Sequence, residues 1–170
     1  MGTVTKSMIT DFKQFKEAWE KDAGTPENTI MYYLIAALNL KKKQAVGEAM
    51  MTLVVSGKHC EKDSKSPSGL KLGRSAQYYV NHFLENPNSA PSFLGGTWEN
   101  EYKINESKLR LTVVREVKQG KGLKIFVESG GRDMPVPSQL EQNSSGQWKL
   151  TEYSSFCMDV KPTKKEQGDF

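Results

Sequence analysis

Residues 109–117 read LRLTVVREV, and their apolar side chains Leu109, Leu111 and Val113 recur at every second position. Successive side chains of a β-strand point to opposite faces of a sheet, so this alternation indicates a strand with one buried face. The same period recurs later, and the glycine-containing segments between the apolar runs are short enough for hairpins. The sequence therefore predicts an antiparallel sheet of four strands, at about 109–117, 123–129, 136–142 and 147–153.

The third of these strands carries two prolines at its start. Pro135 and Pro137 have no backbone N–H and cannot donate to a neighbouring strand. This loss favours an edge position or a bulge for residues 136–142.

The apolar period is helical in the segments that precede the sheet. Phe12, Phe15 and Trp19 are three and four residues apart, which places them on one stripe of a helix. Residues 30–38 are apolar on all sides, as is typical of a central, buried helix. These patterns predict helices at about 11–23, 26–40, 43–56 and 75–85. The polar stretch 58–73 has no clean period and predicts a long loop.

Helices that precede strands, instead of alternating with them, indicate the α+β class. A chain of 170 residues can bury a hydrophobic core without metals or disulfides. We expect a single domain over 8–160, with N-terminal helices packed on one face of the C-terminal four-stranded antiparallel sheet. Residues 161–170 are charged and predict a flexible tail.

Composition excludes several classes of protein. Net charge is only +4, and the lysines are scattered with just four arginines among them, so we expect no nucleic acid partner. The longest apolar run, 30–38, is too short to span a bilayer, and the N-terminus does not resemble a signal peptide. Two cysteines outside any Cys-x-x-Cys pair favour a reducing compartment. We therefore expect a cytoplasmic protein with no membrane association.

The common signatures of catalysis and metal binding are missing from the sequence. It has no phosphate-binding P-loop and no Gly-x-Ser-x-Gly nucleophile elbow. His59 adjoins Cys60, but a zinc site needs four ligands in spaced pairs. Two glycine pairs, 95–96 and 130–131, are typical of turns. We expect no metal, no cofactor and no assigned catalytic residue.

Two charges interrupt the strand pattern. Counted along the alternation, Arg115 falls on the face of Leu111, and Glu152 falls on the face of Leu150. Buried charges are usually paired, so one interpretation is a bulge, a strand end or a fixed ion pair. The other is a polar pocket at one end of the sheet, with Glu152 as a base and Arg115 holding an anion.

Further candidates for binding lie in the last two connections of the sheet. Arg132 and Asp133 belong to a loop rich in glycine and proline, where they can pair locally or contact a ligand. Tyr153 and Ser154 follow the last predicted strand, and Trp98 is a candidate pocket wall together with Tyr153. The serines there have no nearby base, so they favour capping of backbone groups over nucleophilic attack.

Four segments carry a pattern shared with a known group of proteins. They are Gly69-x-x-x-Gly73-x-Ser75-x-x-Tyr78, Phe93-Leu94-Gly95-Gly96-Thr97-x-x-Asn100-x-Tyr102, Ser129-Gly130-Gly131-Arg132-Asp133-x-Pro135-x-Pro137 and Gly146-x-Trp148-x-Leu150-x-Glu152-Tyr153-Ser154-Ser155. Through them the chain resembles an uncharacterised bacterial family catalogued as a domain of unknown function. The resemblance implies one cytosolic bacterial domain and carries over no catalytic residue. The order of elements also loosely resembles cone-shaped α+β folds of the nuclear-transport-factor-two type.

Two functions remain open from the sequence. The first is a non-catalytic protein-binding or accessory module of a bacterial cytosolic system, with a protein partner. The alternative is a small-molecule-binding or lyase/isomerase-like enzyme with a pocket at the end of the sheet. The sequence predicts no oligomeric state.

Overall fold

The computed structural model describes residues 2–168 of the chain. Its helices are α1 (Phe12–Asp22), α2 (Pro26–Lys42), α3 (Gln44–Val54), α4 (Arg74–Glu85) and the one-turn helices α5 (Ser89–Ser92) and α6 (Lys164–Gln167). Its strands are β1 (Gly2–Lys6), β2 (Cys60–Lys62), β3 (Leu70–Leu72), β4 (Leu109–Gln119), β5 (Gly122–Val127), β6 (Val136–Gln142) and β7 (Trp148–Glu152). The α+β class is confirmed, with mostly N-terminal helices and one large antiparallel sheet.

The large sheet has five strands, in the order β1-β4-β5-β6-β7, so the prediction of four strands is wrong. The additional strand is β1, which pairs antiparallel with β4 so that Thr5 lies opposite Arg110. β1 is a short edge strand without a fully buried residue. It therefore lacks the alternation of buried side chains from which a strand is recognised in a sequence.

The predicted loop 58–73 contains a small hairpin. β2 and β3 pair antiparallel, with Cys60 opposite Leu72, and β3 packs on α3. Each strand is only three residues long, and Leu72 is the single fully buried residue among them. Packing against the helix, which a local sequence window does not show, supplies the stability of so short a hairpin.

Two β-bulges account for the charges that interrupt the strand pattern. The register of β4 against β5 shifts between Val113 and Arg115, and that of β7 against β6 shifts beside Glu152. One extra residue in a strand moves the following side chains to the opposite face. Arg115 and Glu152 are accordingly both exposed.

β6 lies inside the sheet, between β5 and β7, so of the two alternatives predicted for it the edge position is wrong. The other alternative was a bulge, and the register of β6 against β7 does shift between Gln139 and Leu140. Pro137 pairs with Phe126 of β5, while the pairing with β7 begins only at Gln139. The missing N–H of Pro137 therefore falls beyond the reach of β7, and a proline is tolerated in an interior strand.

The core lies between the helices and one face of the sheet. α2 runs through its centre, and most of its side chains are buried, as its all-round apolar sequence predicted. Leu111, Ile125 and Leu150 are fully buried on the inner face of the sheet. The Thr29 hydroxyl joins the two layers, since it donates to the Trp148 carbonyl over 2.8 Å.

Contacts continue through the segment for which a flexible tail was predicted. The Lys161 N–H donates to the Gly131 carbonyl, the Tyr102 hydroxyl donates to the Lys161 carbonyl, and Thr163 is buried. Residues 169–170 of the predicted tail lie outside the described residues. Among the described helices, none combines the length and apolar composition needed to cross a bilayer.

Asp22 ties β1 and α2 to the end of α1. Its Oδ2 lies 2.8 Å from Lys6 Nζ and accepts a 2.6 Å hydrogen bond from the Tyr32 hydroxyl. Partial burial alone would raise the pKa of Asp22, but the hydrogen bonds from Lys6 and Tyr32 outweigh it and lower this pKa below its usual value. The carboxylate form therefore stabilises the fold.

We expect Asp22→Asn to lower the free energy of unfolding at neutral pH by about 1 kcal/mol, since the ion pair with Lys6 is lost. Because the pKa of Asp22 is depressed in the fold, its contribution is complete above the unfolded pKa of about 4 and disappears as the pH falls through the folded pKa. Urea unfolding across this range should show wild type and variant converging in acid. Glu17→Gln, at an exposed position of the same helix, should show no such effect; a constant difference at all pH values would contradict the assignment.

Candidate functional site

Two loops cross at the end of the sheet where β4 begins and β5 ends. Thr97 and Gly130 form an isolated parallel bridge, in which the Trp98 N–H donates to the Gly130 carbonyl over 3.0 Å. The Gly130 N–H in turn donates to the Ser92 carbonyl over 2.7 Å. The two glycine-rich motifs of the sequence thus meet at one point.

The glycines at this crossing are required by close packing. A Cβ on Gly130 would overlap the Gly96 carbonyl oxygen and lie 2.8 Å from the Thr97 Cα, and one on Gly131 would overlap the Tyr102 hydroxyl. Only Gly95 has the positive φ, 111°, that fits the turn role predicted for the two pairs. Gly96 and Gly130 allow one backbone to touch another, and Gly131 makes room for the side chain of Tyr102.

A cleft of about 600 Å³ opens beside this crossing, and we call it the glycine cleft. Its walls are the segments 92–97 and 128–135, and its floor includes Arg110 and Thr112 of β4. The Glu128 N–H donates to the Thr112 carbonyl, so these two residues lie side by side on adjacent strands.

Arg110 and Glu128 carry the free charges of the glycine cleft. Both are exposed, whereas Leu109, Leu111 and Val127 beside them are buried, so the two charges lie on the outer face of the sheet. Within residues 2–168 neither side chain forms an ion pair. The cleft therefore offers one cation and one anion to a bound molecule.

Arg132, a predicted binding residue, lines the same cleft but is engaged within the fold. Its guanidinium donates to the Ser155 carbonyl over 2.6 Å and to the Met158 carbonyl, and it lies 5.4 Å from the Phe93 ring centre. Burial lowers the pKa of Arg132 below its usual value, yet the group stays charged at any physiological pH. It binds the C-terminal backbone to the glycine crossing.

Asp133 and Trp98 are also joined to the C-terminal segment. Asp133 lines the glycine cleft and forms an ion pair with Lys161. The Lys161 ammonium lies 5.8 Å from the Trp98 ring centre. Trp98 therefore lies beside the cleft. Its N–H donates to the Gly130 carbonyl at the crossing, and its ring contacts Lys161, the ion-pair partner of Asp133.

The other predicted residues lie around the end of β7. Glu152 accepts hydrogen bonds from the Ser154 N–H and the Ser154 hydroxyl, at 3.0 and 2.7 Å, and so caps the turn that follows. Tyr153 is buried, and its hydroxyl lies 2.8 Å from His59 Nδ1. Burial raises the pKa of Tyr153 far above its usual value, so its hydroxyl stays protonated.

Arg115 and Glu152 do not form a common pocket. Two strands, β5 and β6, separate the strands that carry them, which corresponds to about 14 Å at the usual spacing between strands. Arg115 instead lies 5.4 Å above the Phe126 ring on the outer face. The pairing on which the alternative enzyme depended is not present.

Reasoning from sequence missed Arg110, Glu128 and the contact of His59 with Tyr153. Arg110 and Glu128 occupy outward positions of strands that were predicted. Glu128 directly precedes the loop that contains Gly130 and Gly131, which was an available signal, whereas Arg110 is distant from both glycine pairs in the sequence. The contact of His59 with Tyr153 spans 94 residues and has no local signature. Among the described residues, no group of three or more side chains is arranged to hold a metal ion.

Comparison with known proteins yields one match. No curated protein and no solved structure matches the chain significantly. A family model described as a domain of unknown function, DUF6935, matches residues 8–164, which is most of the chain. The resemblance to an uncharacterised family is thereby confirmed, and the chain belongs to the DUF6935 family.

Proposed function

We propose that this protein is a non-catalytic binding module and that it binds another protein through the glycine cleft. The observation that carries this proposal is the pair of unpaired, opposite charges, Arg110 and Glu128, on the outer sheet face of the cleft. Such a pair is suited to a partner segment that presents an acidic and a basic side chain. Complementary charges of this kind set the register and the on-rate of association.

Met134 supports the proposal. It is 74% exposed and forms part of the cleft wall. Methionine and arginine are both enriched in protein interfaces, and an unbranched thioether adapts to differently shaped apolar side chains. The cleft thus combines an apolar contact with two charges, around backbone that the glycine crossing holds in place.

We place this function in the reducing cytoplasm of a bacterium. Cys60 and Cys157 support a reducing compartment, since both are free thiols. The accessory role follows from the proposed binding, since a non-catalytic module acts through the protein that it binds.

Photo-crosslinking tests the proposal. A photoreactive amino acid at position 134 should capture a specific protein in a lysate of the source organism, and one at exposed position 118 should not. With that partner purified, Arg110→Glu should weaken binding at least about tenfold, which is about 1.4 kcal/mol. Lys118→Glu, a charge reversal at the far end of β4, should leave the affinity unchanged. Equal affinity of the Arg110→Glu variant and wild type would reject the glycine cleft as the binding surface.

A further inference from the structure

The two edges of the five-stranded sheet differ in how they are covered. At the β7 edge, the Trp148 N–H donates to the Ala23 carbonyl over 2.8 Å. The Ser56 N–H covers the same edge, since it donates to the Leu150 carbonyl, also over 2.8 Å. β1 is the last strand at the other edge, and among residues 2–168 only β4 pairs with it. Because an uncovered edge offers unpaired N–H and C=O groups, a further strand can join the sheet at β1.

The backbone groups at this open edge belong to Thr3 and Thr5. The Thr112 carbonyl accepts a hydrogen bond from the β5 side, so the backbone groups of Thr112 point away from β1 and those of Leu111 point toward it. Leu111 lies opposite Val4, and the backbone groups of these two residues therefore face each other. Since successive residues of a strand point their backbone groups to opposite sides, the N–H and C=O of Thr3 and Thr5 face the open edge. Each of the two threonines offers one donor and one acceptor there.

β1 lacks several features that keep edge strands from pairing with another chain. Prolines, bulges and free lysines along the edge are common features of this kind. β1 has the sequence Gly-Thr-Val-Thr-Lys and pairs with β4 in continuous register. Its single charged side chain, Lys6, points toward the helices and lies 2.8 Å from Asp22. Thr3 and Thr5 are exposed, and β-branched residues favour strands, so nothing along β1 opposes a further strand.

We propose that β1 pairs antiparallel with β1 of a second copy of this chain, so that the two five-stranded sheets become one continuous sheet. One register uses every outward backbone group. With Val4 opposite Val4 of the second copy, Thr3 lies opposite Thr5 of the second copy, and Thr5 lies opposite its Thr3. Each of these two threonine pairs exchanges two N–H···O bonds, as in the hydrogen-bonded pair of an antiparallel ladder. A two-fold axis passes between the two Val4 residues, so the assembly closes as a dimer.

Charge complementarity in this register favours a second copy over an unrelated strand. Gly2 lies opposite Lys6 of the second copy, whose side chain is partly exposed on the helical side of the sheet. Gly2 and Glu27 of α2 line one cleft of about 280 Å³. Glu27 is half-buried, and within the part of the chain that the structure describes it forms no ion pair. The ammonium of Lys6 of the second copy can therefore reach Glu27, and the two-fold axis provides this contact twice.

Sedimentation equilibrium of the full chain tests the proposal. We expect the mass to rise from one chain toward two between about 10 µM and 1 mM, because one pair of strands is a small interface and binds weakly. Thr3→Glu combined with Thr5→Glu sets like charges opposite each other in both threonine pairs and should weaken the dimer at least about tenfold. Thr3→Lys combined with Thr5→Glu sets opposite charges there and should keep the affinity within about threefold of wild type, or raise it. Both variants place the same carboxylate opposite Arg110 of β4, so they differ only at position 3.

Glu27→Gln tests the second contact. It should weaken the dimer about threefold, while Glu17→Gln, at an exposed position of α1, should leave the affinity unchanged. Circular dichroism of all these variants should match wild type. A chain that stays monomeric up to about 1 mM would overturn the proposal and leave the β1 edge to a strand of a different protein. A dimer of equal affinity in the two double variants would overturn it as well, because the contact would then lie on another surface.

Discussion

Gly130→Ala is expected to destabilise the fold by about 3 kcal/mol or more, because overpacking at a rigid backbone contact has no flexible side chain to absorb it. The new Cβ would overlap the Gly96 carbonyl oxygen and press on the Thr97 backbone. This overlap can be removed only if the two loops separate, and their separation breaks the hydrogen bonds that join Gly130 to Ser92 and to Trp98. Both the local structure and the glycine cleft depend on this contact.

Urea unfolding of the variant and of wild type measures this effect. Gly24→Ala is the matched control, since a Cβ at Gly24 meets no atom within 4 Å and its φ is not positive. That variant should be neutral or slightly more stable, by up to about 1 kcal/mol, through a less flexible unfolded chain. Equal stability of Gly130→Ala and Gly24→Ala would show that the loops do not cross as closely as described.

The periodicity of apolar residues predicted those elements in which buried side chains follow a regular pattern along the chain. β4 and β5 bury alternate residues over part of their length, and α2 buries most of its side chains, so each imposes a pattern on its own sequence. β1 and the β2–β3 hairpin have no such pattern because they are short and largely exposed. Their stability comes from neighbours distant in the chain, which a local window does not contain.

The site was less predictable than the fold because its contacts connect distant segments. The bulges in β4 and β7 change the face of Arg115 and Glu152. The two charges allowed a bulge as one interpretation, but the sequence did not distinguish it from a strand end, an ion pair or a polar pocket. Alternation could place Arg110 on the outer face but could not show that it lacks a partner. The glycine pairs gave the clearest signal: Gly95 has the positive φ of the predicted turn, while Gly96, Gly130 and Gly131 permit close contacts that the sequence did not indicate.

Arg132→Ala is expected to lower the free energy of unfolding by about 3 kcal/mol, since removal of a half-buried charged donor takes two hydrogen bonds from the carbonyls that it holds. The guanidinium holds the carbonyls of Ser155 and Met158 at once and packs on the Phe93 ring. Without it, the segment after β7 loses its attachment to the glycine crossing. Arg110, not Arg132, is therefore the correct position for testing partner binding.

Arg132→Lys distinguishes the geometry of the guanidinium from its charge. A single ammonium cannot reproduce the planar fork that reaches two carbonyls, so we expect this variant to lose about 2 kcal/mol despite its unchanged charge. Arg74→Ala, at an exposed position of α4, should change stability by less than about 0.5 kcal/mol. Hydrogen exchange should accelerate over residues 154–163 in both Arg132 variants and remain unchanged in the control. If Arg132→Ala were as stable as wild type and as well protected there, the guanidinium would be free to contact a ligand, which is one of the two roles that the sequence left open.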